Sequence, residues 1–342
     1  MAELIWKGKR NSNDSAIQLA PDKRLRTIEY VHRASESGDT ETEQPPVDWY
    51  NRLILGERRE VLAALLEEFA GRVDLIYSDP PFMTGRDFLS ASGTQLAYSD
   101  KWNNDLDTYL LWLYETFTLH HRLLAESGSL YVHLDWRAVH YAKVMLDEIF
   151  GFSPDGTGPG FKSEIIWHYQ SGGRAQRWYA RKHDPILFYT KSAHYCFHPE
   201  RIGERRGTQK RNHMRKVQEA GGRVTWTIRS AGRLYTYDED SLMTPADVWH
   251  DISHLHQKDP ERNGYATQKP EALLQRILLA SSETDDLVLD CFCGSGVAPV
   301  IAEQLGRRWV AADMSSLAIQ LTRERLLAVE QLRPFAVQQL DG

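Results

Sequence analysis

The chain has 342 residues, of which 42% are hydrophobic and 26% charged, and a formal net charge of -6. That length can bury a sizeable core, as one large domain or two smaller ones, and the acidic balance argues against a uniformly basic nucleic-acid binder. No apolar run nears the ~20 residues of a membrane span, the N-terminus lacks the apolar core of a signal peptide, and three cysteines are too few for a disulfide framework. Together these predict a cytoplasmic protein with no membrane contact.

Residues 1–47 are polar, with Pro45 and Pro46 near the end, and predict a loosely ordered arm. Residues 48–193 have an α/β rhythm. Leu53–Gly56 reads as a short strand or turn, and Glu57–Ala70 as a helix with Val61, Leu62, Leu65, Leu66 and Phe69 on one face. Val73–Ser78 reads as a buried strand that Asp79-Pro80-Pro81-Phe82 stops, because two prolines cannot continue a ladder. A long polar connection, 83–105, reads as a lid or binding loop. A helix over Thr108–Glu126, a strand over Ser129–Asp135 and a helix over Ala138–Phe150 follow. Glu164–Tyr169 and His183–Tyr189 read as antiparallel strands at a sheet edge.

The rhythm lapses over residues 194–263. Between Arg201 and Arg233 stand ten Lys or Arg against two Glu, and the aromatics Trp226, Tyr235, Tyr237 and Trp249 lie in or near this run. It reads as an inserted recognition segment, able to present a local phosphate-binding surface on an acidic protein. Residues 264–332 restore the alternation: a helix over Pro270–Ser281, a strand over Leu287–Asp290, a tight turn at Cys293-Gly294-Ser295-Gly296, a helix over Val297–Leu305, a strand over Arg308–Asp313 and a helix over Leu317–Gln331. Residues 333–342 read as a tail. The fold predicted is α/β, a doubly wound, mostly parallel sheet carrying an insert.

Two motifs carry chemistry. At 287–313, glycines 294 and 296 let a backbone turn approach a ligand, and Asp313, 17 residues beyond Gly296, could hold the hydroxyls of a ribose. Pro299 stands where a dinucleotide fingerprint needs a small residue, which counts against NAD. Asp290 could bind an ammonium group, so a nucleoside bearing an amino acid, such as S-adenosylmethionine, fits the pair. At 79–82, a carboxylate, a proline carbonyl and an aromatic ring could grip an exocyclic amine and stack on its base, once that base leaves its duplex. No attacking cysteine is needed. Cys291-x-Cys293 with one distant cysteine is a poor zinc set, and His250, His254 and His256 read as solvated or structural, so no metal is expected. His133 and Asp135 end a strand beside the site as candidate pocket edge.

Asp79-Pro80-Pro81-Phe82, the 290–296 run and Thr267-Gln268-Lys269-Pro270, in this order, resemble the amino-methylating DNA methyltransferases, β subgroup, over roughly residues 50–330. The resemblance implies that Asp79, Pro80, Pro81 and Phe82 hold the target base. It implies that Asp290, Phe292, Gly294, Ser295, Gly296 and Asp313 shape the site of S-adenosylmethionine, with Thr267 and Lys269 at its methionine end. Arg205, Arg206, Lys210, Arg211, Arg215 and Lys216 in the insert would contact double-stranded DNA. A leading Asp implies adenine N6 as acceptor, with cytosine N4, RNA or an amide as alternatives. A homodimer and a cognate restriction subunit stay open as partners. The chain departs from the family where Glu57 follows Gly56, often Asp in members, and where Cys291 replaces a usual Pro.

Overall fold

The computed structural model describes residues 4–9, 24–32, 49–90, 93–170, 175–205, 213–218, 223–238 and 241–341. They fall into two units, Met1–Cys196 with Asp247–Gly342, and Phe197–Ala246.

The larger unit begins with β1 (Leu25–Val31), β2 (Asn51–Leu55), α1 (Arg58–Phe69) and β3 (Val73–Ser78). The hairpin β4 (Asp87–Leu89) and β5 (Leu96–Ser99) follows, then α2 (Leu106–Leu123), β6 (Leu124–His133), α3 (Val139–Phe150), β7 (Gly160–His168) and β8 (His183–Thr190). The smaller unit holds β9 (Glu204–Arg205), β10 (Arg215–Gln218), β11 (Val224–Ser230), β12 (Arg233–Asp238) and β13 (Leu242–Met243). The larger unit resumes with β14 (Val248–Trp249), α4 (Glu271–Ser281), β15 (Leu287–Asp290), α5 (Val297–Gln304), β16 (Arg308–Asp313), α6 (Ser316–Leu327) and β17 (Phe335–Leu340).

Local chemistry explains the helix starts. Glu57 caps α1, its carboxylate accepting from Arg59 N at 2.8 Å and Glu60 N at 3.3 Å, which satisfies two of the orphan donors at a helix N-terminus. Asp105 does the same for α2 through Thr108 N. Both helices turn an apolar stripe to the sheet, Val61, Leu62, Leu65 and Phe69 from α1 and Leu110, Leu113 and Phe117 from α2, all buried in one core.

One ten-stranded sheet runs in the order β1-β17-β2-β16-β15-β3-β6-β8-β7-β14. The run from β17 to β6 is parallel throughout, while β8 is antiparallel to both β6 and β7. The direction of winding reverses between β15 and β3. From β15 the chain passes through α5 to β16 on one side; from β3 it passes through α2 to β6 on the other. Such a reversal opens a crevice at the carboxyl ends of the two strands, because the connections leave to opposite sides. Asp79 follows β3 and Asp290 ends β15.

The sheet extends further than the sequence reading placed it. The arm expected over 1–47 contributes β1, paired antiparallel with β17 from Leu25↔Leu340 to Val31↔Phe335, and Trp6 is buried in the core. The rest of that arm, 1–3, 10–23 and 33–48, lies outside the described residues. The expected tail, 333–342, contains β17, an interior strand between β1 and β2 with Phe335, Ala336 and Val337 buried. Both were missed because neither strand alternates cleanly: β1 is a partly exposed edge whose apolar residues, Leu25, Ile28, Tyr30 and Val31, keep no two-residue period, and the apolar run of β17 spans three residues. The smaller unit, Phe197–Ala246, lies inside the 194–263 stretch; it has a three-stranded antiparallel sheet, β10-β11-β12, and the pair β13-β9. Residues 247–263 belong to the larger unit, where β14 pairs with β7.

Candidate active site

The prolines end β3 and leave Asp79 at the crevice with its side chain 17% exposed. Its Oδ2 is paired with the Lys269 ammonium, while its Oδ1 is buried with no hydrogen-bond partner among the described residues. A buried acceptor left open in this way carries a desolvation cost that an incoming N–H would remove. The Lys269 ammonium also lies 5.2 Å from the centre of the Phe82 ring. Phe82 also stacks on His133, ring centres 6.0 Å apart. His133 is fully buried; it shares a 2.9 Å hydrogen bond with the Tyr77 hydroxyl and lies 3.6 Å from Asp184.

One buried carboxylate fixes the chain beyond the tetrapeptide. Asp100 accepts from Met83 N at 2.9 Å, from Thr84 N and Oγ1 at 2.7 Å each, and from Trp102 Nε1 at 3.0 Å. These bonds hold Met83 at φ +61°, a left-handed conformation that a side chain resists. The Tyr109 hydroxyl donates to the Pro81 carbonyl at 2.8 Å. The grip residues are thus held from below by α2 and from the side by the β5–α2 connection.

The facing wall comes from β15 and β16. Asp290 accepts from Phe292 N at 2.9 Å. Burial, reinforced by Asp79 and Asp313, pushes its pKa well above the ordinary carboxylate value. Asp313 accepts from Gly294 N and Ser315 N at 2.9 Å each, and burial raises its pKa from 3.8 to about 6. Gly294 and Gly296 both stand at positive φ, +48° and +78°, so the turn from β15 into α5 is one that glycine permits. A Cβ on Gly294 would meet the Tyr265 ring at 2.9 Å. Cys291, the departure from the usual proline, is buried with its sulfur 3.3 Å from His120 Nε2. Burial pushes both the Cys291 and Cys293 thiols well above 9, so neither offers a thiolate nucleophile.

Both walls line one cavity of about 440 Å³. Five of its lining residues are acidic (Glu57, Asp79, Asp100, Asp290, Asp313) against three basic (Arg58, Lys101, Lys269). Such a cavity favours a ligand with positive charge.

The expected residues are placed as follows. Asp79, Pro80, Pro81 and Phe82 line one side, and Asp290, Phe292, Gly294, Ser295 and Asp313 the other. Gly296 lies under the turn, against Thr322. Thr267, at φ +61°, lines the cavity with its hydroxyl 3.3 Å from that of Tyr98. Lys269, expected beside a cofactor, sits on Asp79. Glu57, left unassigned from sequence, lines the cavity while capping α1. Arg215 and Lys216 are exposed on β10, and Arg205 lies in β9. Arg206, Lys210 and Arg211 lie outside the described residues. His133 lies behind Phe82 as a ring support, and Asp135 is paired with Arg137.

Sequence reading missed Asp100, Tyr98, Trp112 and Tyr265. Phe88, Tyr98 and Tyr265 form a stack along the cavity, ring centres 4.6 and 6.4 Å apart. Trp112 packs on Phe292 at 5.5 Å and under the Arg58 guanidinium at 4.4 Å. The available signal was three aromatics, Phe88, Tyr98 and Trp102, in an otherwise polar loop.

The profile of a DNA methylase family, N6_N4_Mtase, matches residues 73–324. The Type II methyltransferase M.HpaI of Haemophilus parainfluenzae is 30% identical over 276 residues, 80% of this chain and 74% of that protein. The DNA adenine methyltransferase YhdJ of Escherichia coli K12 is 29% identical over 270 residues, 78% and 80% of the two chains. Among solved structures, the cytosine-N4-specific PvuII DNA methyltransferase aligns with TM-score 0.53 and 15% identity, covering 83% of this chain and 88% of its own. TTHA0409 of Thermus thermophilus, complexed with S-adenosyl-L-methionine, aligns with TM-score 0.52 and 19% identity, covering 85% and 98%. At those identities the two structures share the fold, the Rossmann-like sheet described above.

Proposed function

The chain belongs to the DNA methylase family whose profile spans residues 73–324, and from that membership we propose that it transfers a methyl group from S-adenosylmethionine to the N6 amine of adenine in DNA. The observation that carries this reading is the single cavity between β3 and β15, with an amine-gripping tetrapeptide on one wall and a ribose-type carboxylate and glycine turn on the other. The fit to the cofactor rests on the cavity's acidic excess, which suits a ligand bearing a sulfonium and an ammonium, and on Gly294, which lines the cavity where a Cβ would run into the Tyr265 ring. Asp313 would accept from the ribose hydroxyls, Asp290 would face the ammonium, and Phe292 with Met314 supplies apolar lining.

The sulfonium supplies an activated methyl group. The chain's own task is the amine, a poor nucleophile because its lone pair is delocalised into the ring. Asp79 Oδ1, buried and open, accepts one N–H, and the Pro80 carbonyl accepts the other. Both bonds favour a pyramidal nitrogen with its lone pair available. Lys269 fixes the carboxylate through Oδ2, so Oδ1 is the oxygen presented. Phe82, braced by His133, gives the extruded base a ring to stack on. The N–C bond would form as the methyl–sulfur bond breaks, its electrons staying on sulfur as a neutral thioether, and the amine would shed a proton toward Asp79. Rate enhancement comes from positioning and fixed dipoles, with no covalent enzyme adduct.

The leading Asp79 and the name of the relative YhdJ support adenine. The test is to incubate DNA with the protein and labelled cofactor, digest to nucleosides and separate them. Label in N6-methyl-2′-deoxyadenosine is expected; label in N4-methyl-2′-deoxycytidine would overturn the base assignment, and a parallel reaction that labels RNA when DNA stays unlabelled would favour the rival acceptor. The insert would read the target sequence, with Arg215, Lys216 and the basic residues 205–211 on phosphates. No helix among the described residues is long and apolar enough to cross a membrane, in keeping with a cytoplasmic, DNA-associated enzyme.

Asp313 gives the reading a pH signature. Its pKa is raised to about 6, so the carboxylate is mostly ionised at pH 7.5 and mostly protonated at pH 5. Ribose hydroxyls donate to the ionised form, so cofactor binding favours it and draws the pKa down. Affinity for S-adenosylhomocysteine, measured by calorimetry, should therefore weaken as pH falls through 6, with proton release on binding near pH 5.5. Asp313→Asn should bind more weakly at pH 7.5 and lose the pH dependence. The same raised pKa favours the folded state at acid pH, an advantage lost as pH rises from about 4 to 6.

A further inference from the structure

Beyond the crevice, the catalytic unit exposes aromatic surface that the proposed chemistry leaves unused. Trp136 is 44% exposed, Trp178 63% and Tyr179 98%. They share their ground with arginines. The Arg181 guanidinium lies 3.8 Å from the Trp136 ring centre and 5.7 Å from that of Trp178, and Arg137 lies 4.8 Å from Trp136. Arg177 is exposed beside them in sequence.

Topology places this cluster at the catalytic end of the sheet. β6 runs parallel to β3 with Ser78 opposite Val132, so residues beyond His133 emerge at the end where Asp79 emerges. β8 is antiparallel to β6 with His133 opposite Ile186, so residues 175–182, just before β8, begin at that same end. His133, which ends β6, stacks on Phe82. The aromatic–arginine cluster is therefore a rim beside the base-gripping wall.

We propose that this rim is a DNA-binding site that stacks on unpaired bases next to the extruded nucleotide. The inference rests on the DNA methyltransferase reading and deepens it. Extruding a base breaks stacking on both sides of it, and the exposed neighbouring bases need new faces. Flat rings open to solvent, with guanidinium groups that can reach phosphates, supply both needs; sequence-tolerant strand binding is built from the same pair of elements. A protein partner would also use Trp, Tyr and Arg, but the cationic character and the place beside the Phe82 wall favour the polyanion.

The test uses the full chain and a Trp178→Ala/Tyr179→Ala variant, with Arg181→Ala separately. Probes are a mixed-sequence single-stranded 30-mer, the corresponding duplex, and genomic DNA as methyl acceptor. The wild type should show tryptophan fluorescence quenching on adding the single strand. The double variant should lose most of that quenching and bind the single strand about 5- to 100-fold more weakly. It should raise KM for genomic DNA with a smaller change in kcat, and keep its affinity for S-adenosylhomocysteine and its melting temperature. Arg181→Ala should weaken binding and flatten its salt dependence. An active wild type with unchanged strand affinity, quenching and KM in the double variant overturns the rim while sparing the proposed activity. Self-association that the double variant abolishes, with DNA affinity unchanged, also overturns it. A wild type that neither binds nor methylates DNA removes the activity itself.

Discussion

Asp79→Ala should reduce methyl transfer by a factor on the order of a thousand or more while changing affinity for S-adenosylhomocysteine less than tenfold. The size follows from what is removed: a fixed acceptor aimed at the reacting nitrogen, comparable to deleting one preorganised group that stabilises developing charge. Two effects must be separated. Asp79 is also the partner of Lys269, whose side chain is only 12% exposed. Removing the carboxylate leaves an ammonium unpaired in a mostly enclosed place, at a cost of about 1–3 kcal/mol, below the value for a fully buried pair because the cavity admits water. A fall in activity could then reflect a weakened fold.

The double variant Asp79→Ala/Lys269→Met resolves this. It removes both charges and keeps apolar bulk over Phe82, so its melting temperature should return toward that of the wild type. Its activity should not return, because nothing accepts the amine proton. Asp79→Asn should be stable and nearly as inactive, since its amide has one acceptor oxygen, which Lys269 claims. Turnover within tenfold of the wild type in any of the three would remove Asp79 from the chemistry. Lys269→Met alone discriminates further. A lysine serving the cofactor's carboxylate should lower cofactor affinity; one holding Asp79 should lower kcat with cofactor affinity kept. The ion pair with Asp79 predicts the second outcome.

The parts legible in the sequence were those with strong local signals. The prolines at 80 and 81 announced the end of β3, the glycines at 294 and 296 announced the turn after β15, and apolar periodicity gave α1 to within one residue at each end, while α2 starts two residues earlier and ends three earlier than expected. Their convergence was legible too. A tetrapeptide and a turn more than 200 residues apart are brought together because parallel strands with crossover helices leave the ends of β3 and β15 adjacent. What stayed hidden depends on long-range pairing. β1 is a strand because β17 offers it a ladder, β17 because β1 and β2 flank it, and neither has a pattern that stands alone. Asp100 reads as one more acid in a polar loop; its four donors become visible only when the loop folds back over Met83 and Thr84. Lys269 was placed at the cofactor by resemblance, and side-chain reach, which motif order does not encode, puts it on Asp79.

Gly296→Ala should damage the protein more than Gly294→Ala, although Gly294 is the one that lines the cavity. Both glycines have positive φ, so each alanine costs about 1–2 kcal/mol in backbone strain. The neighbours differ. A methyl on Gly294 would meet a carbon of the Tyr265 ring at 2.9 Å, with no backbone atom among the nearest contacts. Tyr265 can tilt, at the expense of its stack with Tyr98, 6.4 Å away between ring centres. Gly294→Ala should thus fold with a modest loss of stability and bind S-adenosylhomocysteine at least tenfold more weakly. A methyl on Gly296 would lie 2.7 Å from Thr322 Oγ1 and 2.8 Å from its Cα, which belongs to α6. The hydroxyl could be removed, but the Cα could not, so α6 must move away from the turn. Strain and overpacking together should cost about 3–5 kcal/mol, enough to lower the melting temperature by roughly 4–7 °C in a chain of this size. Thr322→Ala added to Gly296→Ala relieves only the side-chain part and should recover less than half of the loss. Full recovery would mean that α6 tolerates the methyl and that the close packing of turn against helix is not what holds the cofactor wall in place.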